Sequence, residues 1–520
     1  MADEQAKHRL VSFESVSATV GGYDISDIVE LHLAAAANTV PQITLLVDVA
    51  AGDGAGSEVA EAVSLSNARQ AFDNCREMVR TDGATLSLSV TCRFAGPGEP
   101  ETQSLSIKGW LLTSVALSPI QRHGVCTASL TFQHPLCKAH LGGAVPALVL
   151  APPLFNDVTD GNPLAVFIRA LRMYEQRQRG LVLPAAIPGA SSPEQVREKL
   201  LSRLSKATSD LESALSWTHG GLPASGYLAG WSDLLCKGLA HYAAPSGGNS
   251  VLQALLGSLV PECSLAVGGD YTQDALEIGP FEPWADAEFT MSDSDIVSLD
   301  FPQTDPSPIS GVQMVLSHTD SSYDDSYHPI GCQVGEASYP AETFYIPESE
   351  LAAQYFYGPI QQFQEPGWLV AMSAFESSAS DGYVSDAFTA PSGTLQTAMN
   401  TPRGGGVSFG PGGGGVGSSI NYAQAVLACA KAYFETSLMK DWVFTATSRL
   451  MFSTKGGTIC PGRVIRINSG ASEVLGGYIV GVEHVISVPN RSATTRLTCT
   501  HPRFGALPAA ITSPKNALYT

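Results

Sequence analysis

The sequence contains one match to the nucleophile elbow of serine hydrolases. Residues 406–410 read Gly-Val-Ser-Phe-Gly, the pattern G-x-S-x-G, and Asp441 and His484 follow in the order Ser, Asp, His. Such a serine attacks a carbonyl carbon while the histidine takes its proton and the carboxylate orients the histidine. The elbow needs an apolar strand before the serine and a helix directly after it, but Ser408 lies within the glycine-rich run 403–417. The context therefore argues against a hydrolase.

A second group of residues has the types that bind metals. His134, Cys137 and His140 follow one another at three-residue spacing, and Cys126 lies nearby. Histidine and cysteine are usual zinc ligands, but a structural zinc site takes four ligands, and no second paired cluster accompanies this one. The competing interpretation is a turn after a strand, with a buried cysteine. We predict no metal ligand among these residues.

Other patterns for cofactors or acid–base catalysis give no specific candidate. The chain has no GxxxxGK, GxGxxG or HExxH sequence, so nucleotide-binding, dinucleotide-binding and zinc-protease functions have no support. Carboxylates are frequent between 262 and 350 and could supply the acid pair of a glycosidase, but no spacing singles out a pair. We therefore predict that the protein uses no cofactor, has no catalytic residues and is not an enzyme.

The acidic residues are concentrated in one segment. The chain of 520 residues has a net charge of −20, from 49 acids and 29 bases. Residues 238–402 contain 22 of the acids and no Lys or Arg, whereas the rest of the chain holds 27 acids and 29 bases. Such a surface repels nucleic acid, so we predict no stable nucleic-acid binding. A channel through which DNA slides without sticking would have such a surface.

Segments that direct a protein into or across a membrane are not evident. No apolar run approaches the roughly 18 residues that span a bilayer, and the first ten residues, MADEQAKHRL, lack the apolar part of a secretory signal. We predict a protein made in a cytoplasm that does not insert into a membrane. The ten cysteines form no CxxC pair, so we expect buried thiols and not disulfides.

The elements that must position any site are mainly strands. Apolar and polar residues alternate in the manner of strands near both ends of the chain, over 10–50, 85–135 and 441–505. Two longer helices, two shorter helical stretches at about 225–243 and 249–260, and a helix at 421–440 are predicted between them. The clearest helix starts at Ser192, Pro193 and Gln195 as a capping box. This pattern predicts a mainly β protein with α insertions (an α+β fold class), containing two related antiparallel β-barrel domains. The predicted divisions are 1–145, the first tube-like β-barrel; 146–261, a helical insertion; 262–402, an acidic β-rich middle domain; 403–420, a Gly-rich linker or loop; and 421–520, a helix with the second tube-like β-barrel and a C-terminal tail.

The two β-rich ends share a hairpin pattern. Residues 109–135 and 477–502 each begin with glycine and an aromatic residue, cross a polar turn that contains arginine, and return as a threonine-rich strand into Leu-Thr-x-x-His-Pro. Their lengths differ by one residue, which a turn can absorb. Two hairpins that match in order, length and terminal motif indicate a repeat better than one short motif does. The residues that mark this repeat are Gly109, Trp110, His134, Pro135, Gly477, Tyr478, His501 and Pro502.

The second hairpin, with the runs GYIV, EHVIS and TTRLTCTHPR, resembles the closing barrel of baseplate hub proteins. These proteins occur in contractile phage tails, in the late-control family of tail proteins and in the N-terminal part of type VI secretion spike proteins. The preceding run ICPGRVIRI resembles the strand entry of that family, here Pro461, Gly462, Val464 and Ile465. The first hairpin resembles the opening barrel of the family, and the resemblance covers about 200 of the 520 residues.

The resemblance implies a structural role at the virion tail baseplate of a phage, or in a related injection machine, with assembly in the bacterial cytoplasm. Proteins of this family form homotrimers, and two barrels in each of three chains give a ring of six. Such a ring matches the hexameric tail tube on one side and the trimeric central spike on the other. The implied partners are a tail tube protein, a central spike protein and other baseplate proteins. This chain departs from the family in its longer, acidic middle and in the lack of a spike module after Gly505.

Two other functions stay open on the sequence. One is a virion-associated hydrolase of cell wall or esters that uses Ser408 or an unassigned carboxylate pair. The other is a carbohydrate-binding tail adhesin, which the Tyr- and Trp-rich turns between 323 and 368 suggest. Loss of hydrolysis on replacement of Ser408 would favour the first, and binding to glycans would favour the second.

Overall fold

The computed structural model of the protein describes most of both chain ends and parts of the middle. Every structural statement below concerns these residues. They are 10–25, 27–48, 79, 84–95, 101–118, 127–141, 144–145, 148–149, 163–177, 192–218, 243–244, 249–260, 265–301, 311–316, 319–320, 335–336, 341–345, 360–364, 440–449, 452–454, 456–470 and 472–503.

Most of the described elements are strands. In chain order they are β1 Leu10–Val20, β2 Tyr23–Ile25, β3 Ile28–Ala36, β4 Gln42–Asp48, β5 Thr85–Ala95, β6 Glu101–Ser118, β7 Thr127–Gln133, β8 Ala144–Val145, β9 Leu148–Val149, β10 Leu215–Trp217, β11 Ala243–Ala244, β12 Asn249–Ser250, β13 Leu265–Gly268, β14 Leu276–Pro280, β15 Phe289–Ser292, β16 Ile296–Asp300, β17 Gly311–Leu316, β18 Thr319–Asp320, β19 Gly335–Glu336, β20 Ala341–Tyr345, β21 Ile360–Gln364, β22 Val443–Arg449, β23 Ser453–Thr454, β24 Gly457–Thr458, β25 Val464–Ser469, β26 Ser472–Ser487 and β27 Ser492–Arg503. The longer ones alternate buried and exposed residues, as strands with one covered face do.

Helices are few in the described residues. They are α1 Lys138–Leu141, which follows a 3-10 turn at Pro135–Cys137, α2 Pro163–Arg177, α3 Pro193–Ala214 and α4 Val251–Ala254. Helix α3 starts as the sequence predicts, because the Ser192 hydroxyl accepts a hydrogen bond from the Gln195 N–H at 3.3 Å. Its buried stripe includes Val196, Leu204 and Leu211.

Thirteen strands form one sheet whose neighbours are almost all antiparallel. Its order is β16-β22-β27-β26-β3-β4-β7-β6-β5-β1-β2, with β25 paired to β26 and β15 paired to β25. Within this sheet only the β15–β25 pair is parallel. The described strands do not close into a barrel, because the sheet ends at β16 on one side and at β2 on the other. The fold is mostly antiparallel β structure with few helices, and the pair of closed barrels stays a prediction.

The large sheet consists of two groups of strands from opposite ends of the chain. We call β1 to β7 the N-terminal unit, and β15, β16, β22, β25, β26 and β27 the C-terminal unit. Strands β15 and β16 come from residues 289–300, inside the stretch that the sequence predicted as the acidic middle domain. That stretch therefore supplies two strands of the C-terminal unit. Pairing between β3 and β26 joins the two units into one sheet.

The hairpin of β13 and β14 contacts both units. Asn38, in the turn between β3 and β4, donates its backbone N–H to the Val267 carbonyl and accepts the Val267 N–H on its side-chain oxygen, both at 2.8 Å. On the other side, a side chain at Gly268 would come within 2.5 Å of the Pro461 carbonyl oxygen. Glycine is needed there because the two backbones approach so closely. The hairpin thus fixes the N-terminal unit against the C-terminal unit.

Cations from outside the acidic segment neutralise part of its charge. Arg463, at the entry to β25, forms ion pairs with Glu277 and Glu288. Burial of the guanidinium acts to lower the pKa of Arg463, but the two carboxylates outweigh this effect and raise the pKa above its ordinary value. Arg503 donates to the carbonyl oxygens of Pro283 and Ala285, each at 2.7 Å. The acidic segment is therefore tied to the C-terminal unit by arginines that lie far away in the sequence.

Four of the cysteines lie within the described residues. Cys92, Cys137, Cys460 and Cys499 are all buried free thiols. Burial raises the pKa of Cys137 to about 11, so this thiol is unreactive at neutral pH. None of the helices in the described ranges is long and apolar enough to cross a membrane.

Candidate functional site

The two hairpins that carry the sequence repeat pair their strands in the same register. In the N-terminal unit Leu112 of β6 lies opposite Phe132 of β7. In the C-terminal unit Ile479 of β26 lies opposite Cys499 of β27. Each strand of the second hairpin therefore lies 367 positions after its counterpart in the first hairpin. Register depends on the whole pattern of a strand, because a slip of one residue turns every side chain to the other face.

The next strand of each unit continues the match. Seven residue pairs join β4 to β7, and seven join β22 to β27. Gln42 lies opposite Gln133 in the first ladder, and Val443 lies opposite Thr500 in the second, which again is position 133 shifted by 367. Strand β22 is thus the equivalent of β4 in position and register.

Irregularities in pairing also recur at equivalent positions. The β6–β7 ladder has a bulge at Thr113, and the β26–β27 ladder has one at Val480, again 367 positions later. The β3–β4 ladder has a bulge at Val29, and the β16–β22 ladder has one at Val297. Bulges bend a strand locally and are placed individually, so two matching bulges are strong evidence of equivalent geometry.

Five strands of each unit correspond in this way. Strands β3, β4, β7, β6 and β5 match β16, β22, β27, β26 and β25 in order and in direction. The units differ at the next position, where β1 pairs with β5 antiparallel but β15 pairs with β25 parallel. The common part of the two units is therefore a five-stranded antiparallel sheet.

The one-residue difference between the two sequence runs does not lie in the turn. Lys108 pairs with Ser87 and Trp110 with Leu86, so Gly109 is an extra residue in β6, with a φ of 75°. The β25–β26 ladder also has one extra residue, two positions further along, at Val474. The shift of 367 positions aligns Trp110 with Gly477, one residue away from the alignment of the two glycine-aromatic pairs in the sequence.

The two His-Pro sites occupy equivalent positions but have different backbones. His134 precedes a 3-10 turn, where its Nδ1 accepts the Leu136 N–H at 3.1 Å and its Nε2 lies 3.0 Å from the Gln273 carbonyl oxygen. Burial lowers the pKa of His134, so the ring is neutral at neutral pH. Its edge meets the Trp110 ring at 5.8 Å. Pro135 is the first residue of the turn.

His501 instead sits inside β27 with a φ of 54°, a left-handed conformation that is uncommon for a residue other than glycine. The buried ring packs edge-on against Phe281 and Trp284, each at 5.5 Å. Pro502 follows it and is also buried. Both histidines are packed at the end of a hairpin, and their described contacts are with neighbouring protein groups.

The junction between the units is a seven-pair antiparallel ladder, from Gly481 opposite Ala36 to Ser487 opposite Glu30. One face of the junction is apolar and fully buried. Its side chains are 2% exposed or less and comprise Leu31, Leu33, Ala35, Val482, His484 and Ile486. On the other face the His32 ring nitrogen lies 2.6 Å from a Glu483 carboxylate oxygen. Burial of two rows of side chains together with the ladder makes this junction a permanent contact.

His484 is the only charged-type side chain in the apolar face of the junction. Its Nε2 lies 2.8 Å from the Tyr271 hydroxyl, and its Nδ1 lies 2.8 Å from the Thr495 hydroxyl. Complete burial lowers its pKa to about 3, so the ring is neutral and both nitrogens are satisfied. Tyr271 was not identified from the sequence, because it lies 213 residues from its partner.

This arrangement does not fit the hydrolase candidate. Both ring nitrogens of His484 are bonded to Tyr271 and Thr495, and neither is bonded to Asp441, which is exposed. Ser408 lies outside the described residues. A neutral histidine inside a packed core has no substrate to reach.

The metal candidates are likewise engaged in other contacts. His134 uses both ring nitrogens as described above, and Nδ1 of His140 lies 3.0 Å from the Ser250 hydroxyl. Cys137 is buried as a thiol, and Cys126 lies outside the described residues. Within the part of the chain that the structure describes, no three His, Cys, Asp or Glu side chains gather as a metal site would need.

A contact that the sequence did not predict lies at Gln103 of β6. Its side-chain oxygen accepts the N–H groups of Phe452 and Ser453 at 3.1 and 3.3 Å, and its amide nitrogen donates to the Ser453 carbonyl at 3.1 Å. This glutamine is 9% exposed and ties β6 of the N-terminal unit to the start of β23. No local pattern reveals it, because the partners are about 350 residues apart.

Comparison with known proteins gives solved structures only. No family model matches the sequence, and no curated protein matches it. Among solved structures, the 43 kDa tail protein of prophage MuSo2 from Shewanella oneidensis is 7% identical, with 94% of this chain and 98% of that chain covered and a TM-score of 0.43. The tail protein from Neisseria meningitidis MC58 is 10% identical, with coverage of 96% and 98% and a TM-score of 0.40.

A third structure is a component of the type VI secretion system of E. coli, described as similar to the bacteriophage T4 tail proteins gp27 and gp5. It is 7% identical, with 96% of this chain and 80% of that chain covered and a TM-score of 0.32. TM-scores below 0.5 do not establish a common fold. What the structure itself defines is a protein with two equivalent antiparallel units in one open sheet.

Proposed function

We propose that this protein is a structural baseplate hub of a phage tail or of a related injection machine, and that it works as a homotrimer. In this role it joins a hexameric tail tube to a trimeric central spike and lines the channel for DNA or effectors. The similar solved structures are tail and secretion-system proteins by name. The observation that carries the proposal is the equal strand register of the two units.

Equal units explain how three chains can meet a sixfold partner. Each chain carries the same five-stranded sheet twice, so three chains present six equivalent sheets. A ring with approximate sixfold symmetry can then contact a hexamer on one side and keep true threefold symmetry on the other. In the assembled ring the sheets are proposed to form the tube-like barrels that the sequence resemblance implies.

The charge distribution supports a role as a conduit. The 22 carboxylates and missing cations of residues 238–402 would repel DNA instead of holding it. Among the described carboxylates of this segment, Arg463 forms ion pairs with two, Glu277 and Glu288. We place the remaining acidic surface along the path of the cargo.

Electron microscopy of the purified full-length chain tests this proposal. Class averages should show a ring with a central opening and six density lobes in threefold arrangement. A compact particle without an opening, or a ring with another number of lobes, would contradict the hub. Hydrolysis of cell wall or esters that is lost in Ser408→Ala would instead support the enzyme alternative.

A further inference from the structure

The internal junction predicts where a second copy must bind. In the junction, β26 pairs with β3 along residues 481–487 and 30–36. Strand β6 is the equivalent of β26, and β16 is the equivalent of β3, as their registers show. In each chain β3 and β26 are paired with each other, whereas their equivalents β16 and β6 are not. No described strand pairs with the outer edge of β16 or with β6 beyond Leu112 on the side of β5.

The unused edge of β16 is apolar and exposed. Val297, Leu299 and Phe301 are 61%, 41% and 52% exposed, and they are three of the five exposed large apolar side chains among the described residues. Leu299 and Phe301 occupy alternate positions and so share one face, and Val297 is the bulge residue just before them. An exposed apolar edge strand is a template for pairing with another chain, unless it is covered in the assembly.

The same positions are buried where the pairing is already made. By register, Leu299 corresponds to Leu31 and Phe301 to Leu33, since Leu31 lies opposite Leu45 and Leu299 lies opposite Ala446. Both leucines are 0% exposed in the internal junction. The difference between the two strands is thus the presence of a partner strand and not the type of residue.

Backbone groups on β16 point in the direction that the pairing requires. In the internal junction the Ala37 N–H donates to Val480 at 2.8 Å, and the Val29 carbonyl accepts from Val488 at 3.0 Å. Backbone N–H and C=O groups of successive residues point to opposite edges of a strand, so those of the odd-numbered residues of β3 point toward β26. Their equivalents on β16 are Val297, Leu299 and Phe301.

We propose that the ring closes by antiparallel pairing of the outer edge of β16 with the free edge of β6 in a second copy of this chain. The register of the internal junction places Asp300 opposite Ser118 and Phe301 opposite Leu117. This contact is head-to-tail, so it repeats around a ring until the ring closes. The proposal rests on the trimer of the proposed function, and it names the surface that builds that trimer.

A disulfide cross-link tests the register directly. Ser118→Cys combined with Asp300→Cys places two thiols across the proposed ladder, as Val485 and His32 lie across the internal one. Cα atoms of directly opposed residues are about 4.5–5.5 Å apart, which suits a disulfide. Mild oxidation should convert the double variant into a covalent species of three times 54.5 kDa. The wild-type chain measures the background, since its described cysteines are buried.

Matched controls distinguish this pairing from other contacts. Ser114→Cys with Asp300→Cys moves one thiol four residues, about 13 Å, along the strand and should not cross-link. Asp300→Cys alone should not cross-link either, and covalent dimers from it would show pairing between two β16 strands and overturn the proposal. A native trimer without a cross-link in the Ser118/Asp300 variant would overturn the proposed register while leaving the hub intact. A native monomer would remove both.

Substitutions in the apolar row give an independent measurement. Leu299→Lys should raise the concentration at which the trimer dissociates by about 100-fold or more, because a charge would enter the buried row. Val474→Lys is the control, since Val474 is 38% exposed and lies outside the proposed surface. Circular dichroism should show unchanged secondary structure in both variants, which excludes misfolding as the cause of dissociation. A Leu299→Lys chain that is folded and still trimeric at wild-type dilution would contradict the proposal.

Discussion

At the scale of single residues, the central feature is a neutral histidine inside the junction between the two units. His484 lies in the buried row of β26 and contacts the Tyr271 and Thr495 hydroxyls. It links the hairpin of β13 and β14 to the junction between the two units. Its protonation would leave an uncompensated charge in the core. The residue therefore couples assembly of the sheet to pH.

The stability of the protein should fall below neutral pH because of His484. Its pKa is about 3 in the folded protein and near 6.5 in an unfolded chain, so only the unfolded state binds a proton between these values. Stability is present above the unfolded pKa and is lost as the pH falls, by about 2 kcal/mol between pH 7 and pH 5. Urea unfolding of the wild type and of His484→Gln measures this. Equal losses in both chains would contradict the role of His484.

Sequence patterns singled out His134 and His501 but not the residues that these histidines contact. The Leu-Thr-x-x-His-Pro motif located His134 and His501 at the ends of two hairpins, where short-range alternation is informative. The contacts of His484 with Tyr271 and of Gln103 with Phe452 join residues that are hundreds of positions apart. No local propensity encodes such contacts, because tertiary packing alone brings them together.

At the scale of elements, the two units behave as versions of one sheet. Bulges at Thr113 and Val480 match, as do those at Val29 and Val297. The bulge at Gly109 of β6 has a counterpart at Val474 of β26, displaced by two residues along the ladder. The same strand therefore takes up its extra residue at different places in the two units.

Deletion of Gly109 should be tolerated. Removal leaves Lys108 opposite Ser87 and Trp110 opposite Leu86, so both faces of β6 keep their side chains. We expect a change in the free energy of unfolding of less than about 1 kcal/mol, measured by denaturant titration.

Deletion of Ser106 is the matched control. It turns Leu105 and every earlier residue of β6 to the opposite face, and Leu105 is 2% exposed. This variant should lose several kcal/mol or fail to fold, since a row of apolar residues is exposed. If both deletions were equally damaging, the assignment of Gly109 as a bulge residue would be wrong.

The extent of the C-terminal unit was harder to predict than its hairpin. The sequence placed residues 289–300 in a separate acidic domain, whereas they form β15 and β16 of the large sheet. The gap of more than 140 residues between β16 and β22 hides the pairing from any local pattern. One signal was present, because Val297, Leu299 and Phe301 alternate with Ser298 and Asp300 in the manner of an edge strand.

At the scale of the whole molecule, the chain is asymmetric in a way that a ring would resolve. One pairing, between β3 and β26, is made inside the chain, and among the described strands the matching edges of β16 and β6 are left open. Head-to-tail contacts either close a ring or continue as a filament, depending on the angle between neighbours. Under the proposed function, two units per chain and a sixfold tube would require closure at three chains, with the acidic middle on the inside of the ring.

The native mass of the purified full-length chain tests this account most directly. The predicted result is one species of three times 54.5 kDa at micromolar concentration and moderate salt. A stable monomer at that concentration, or a dimer that does not change on further concentration, would contradict the assembly of two equivalent units per chain into a closed ring of six.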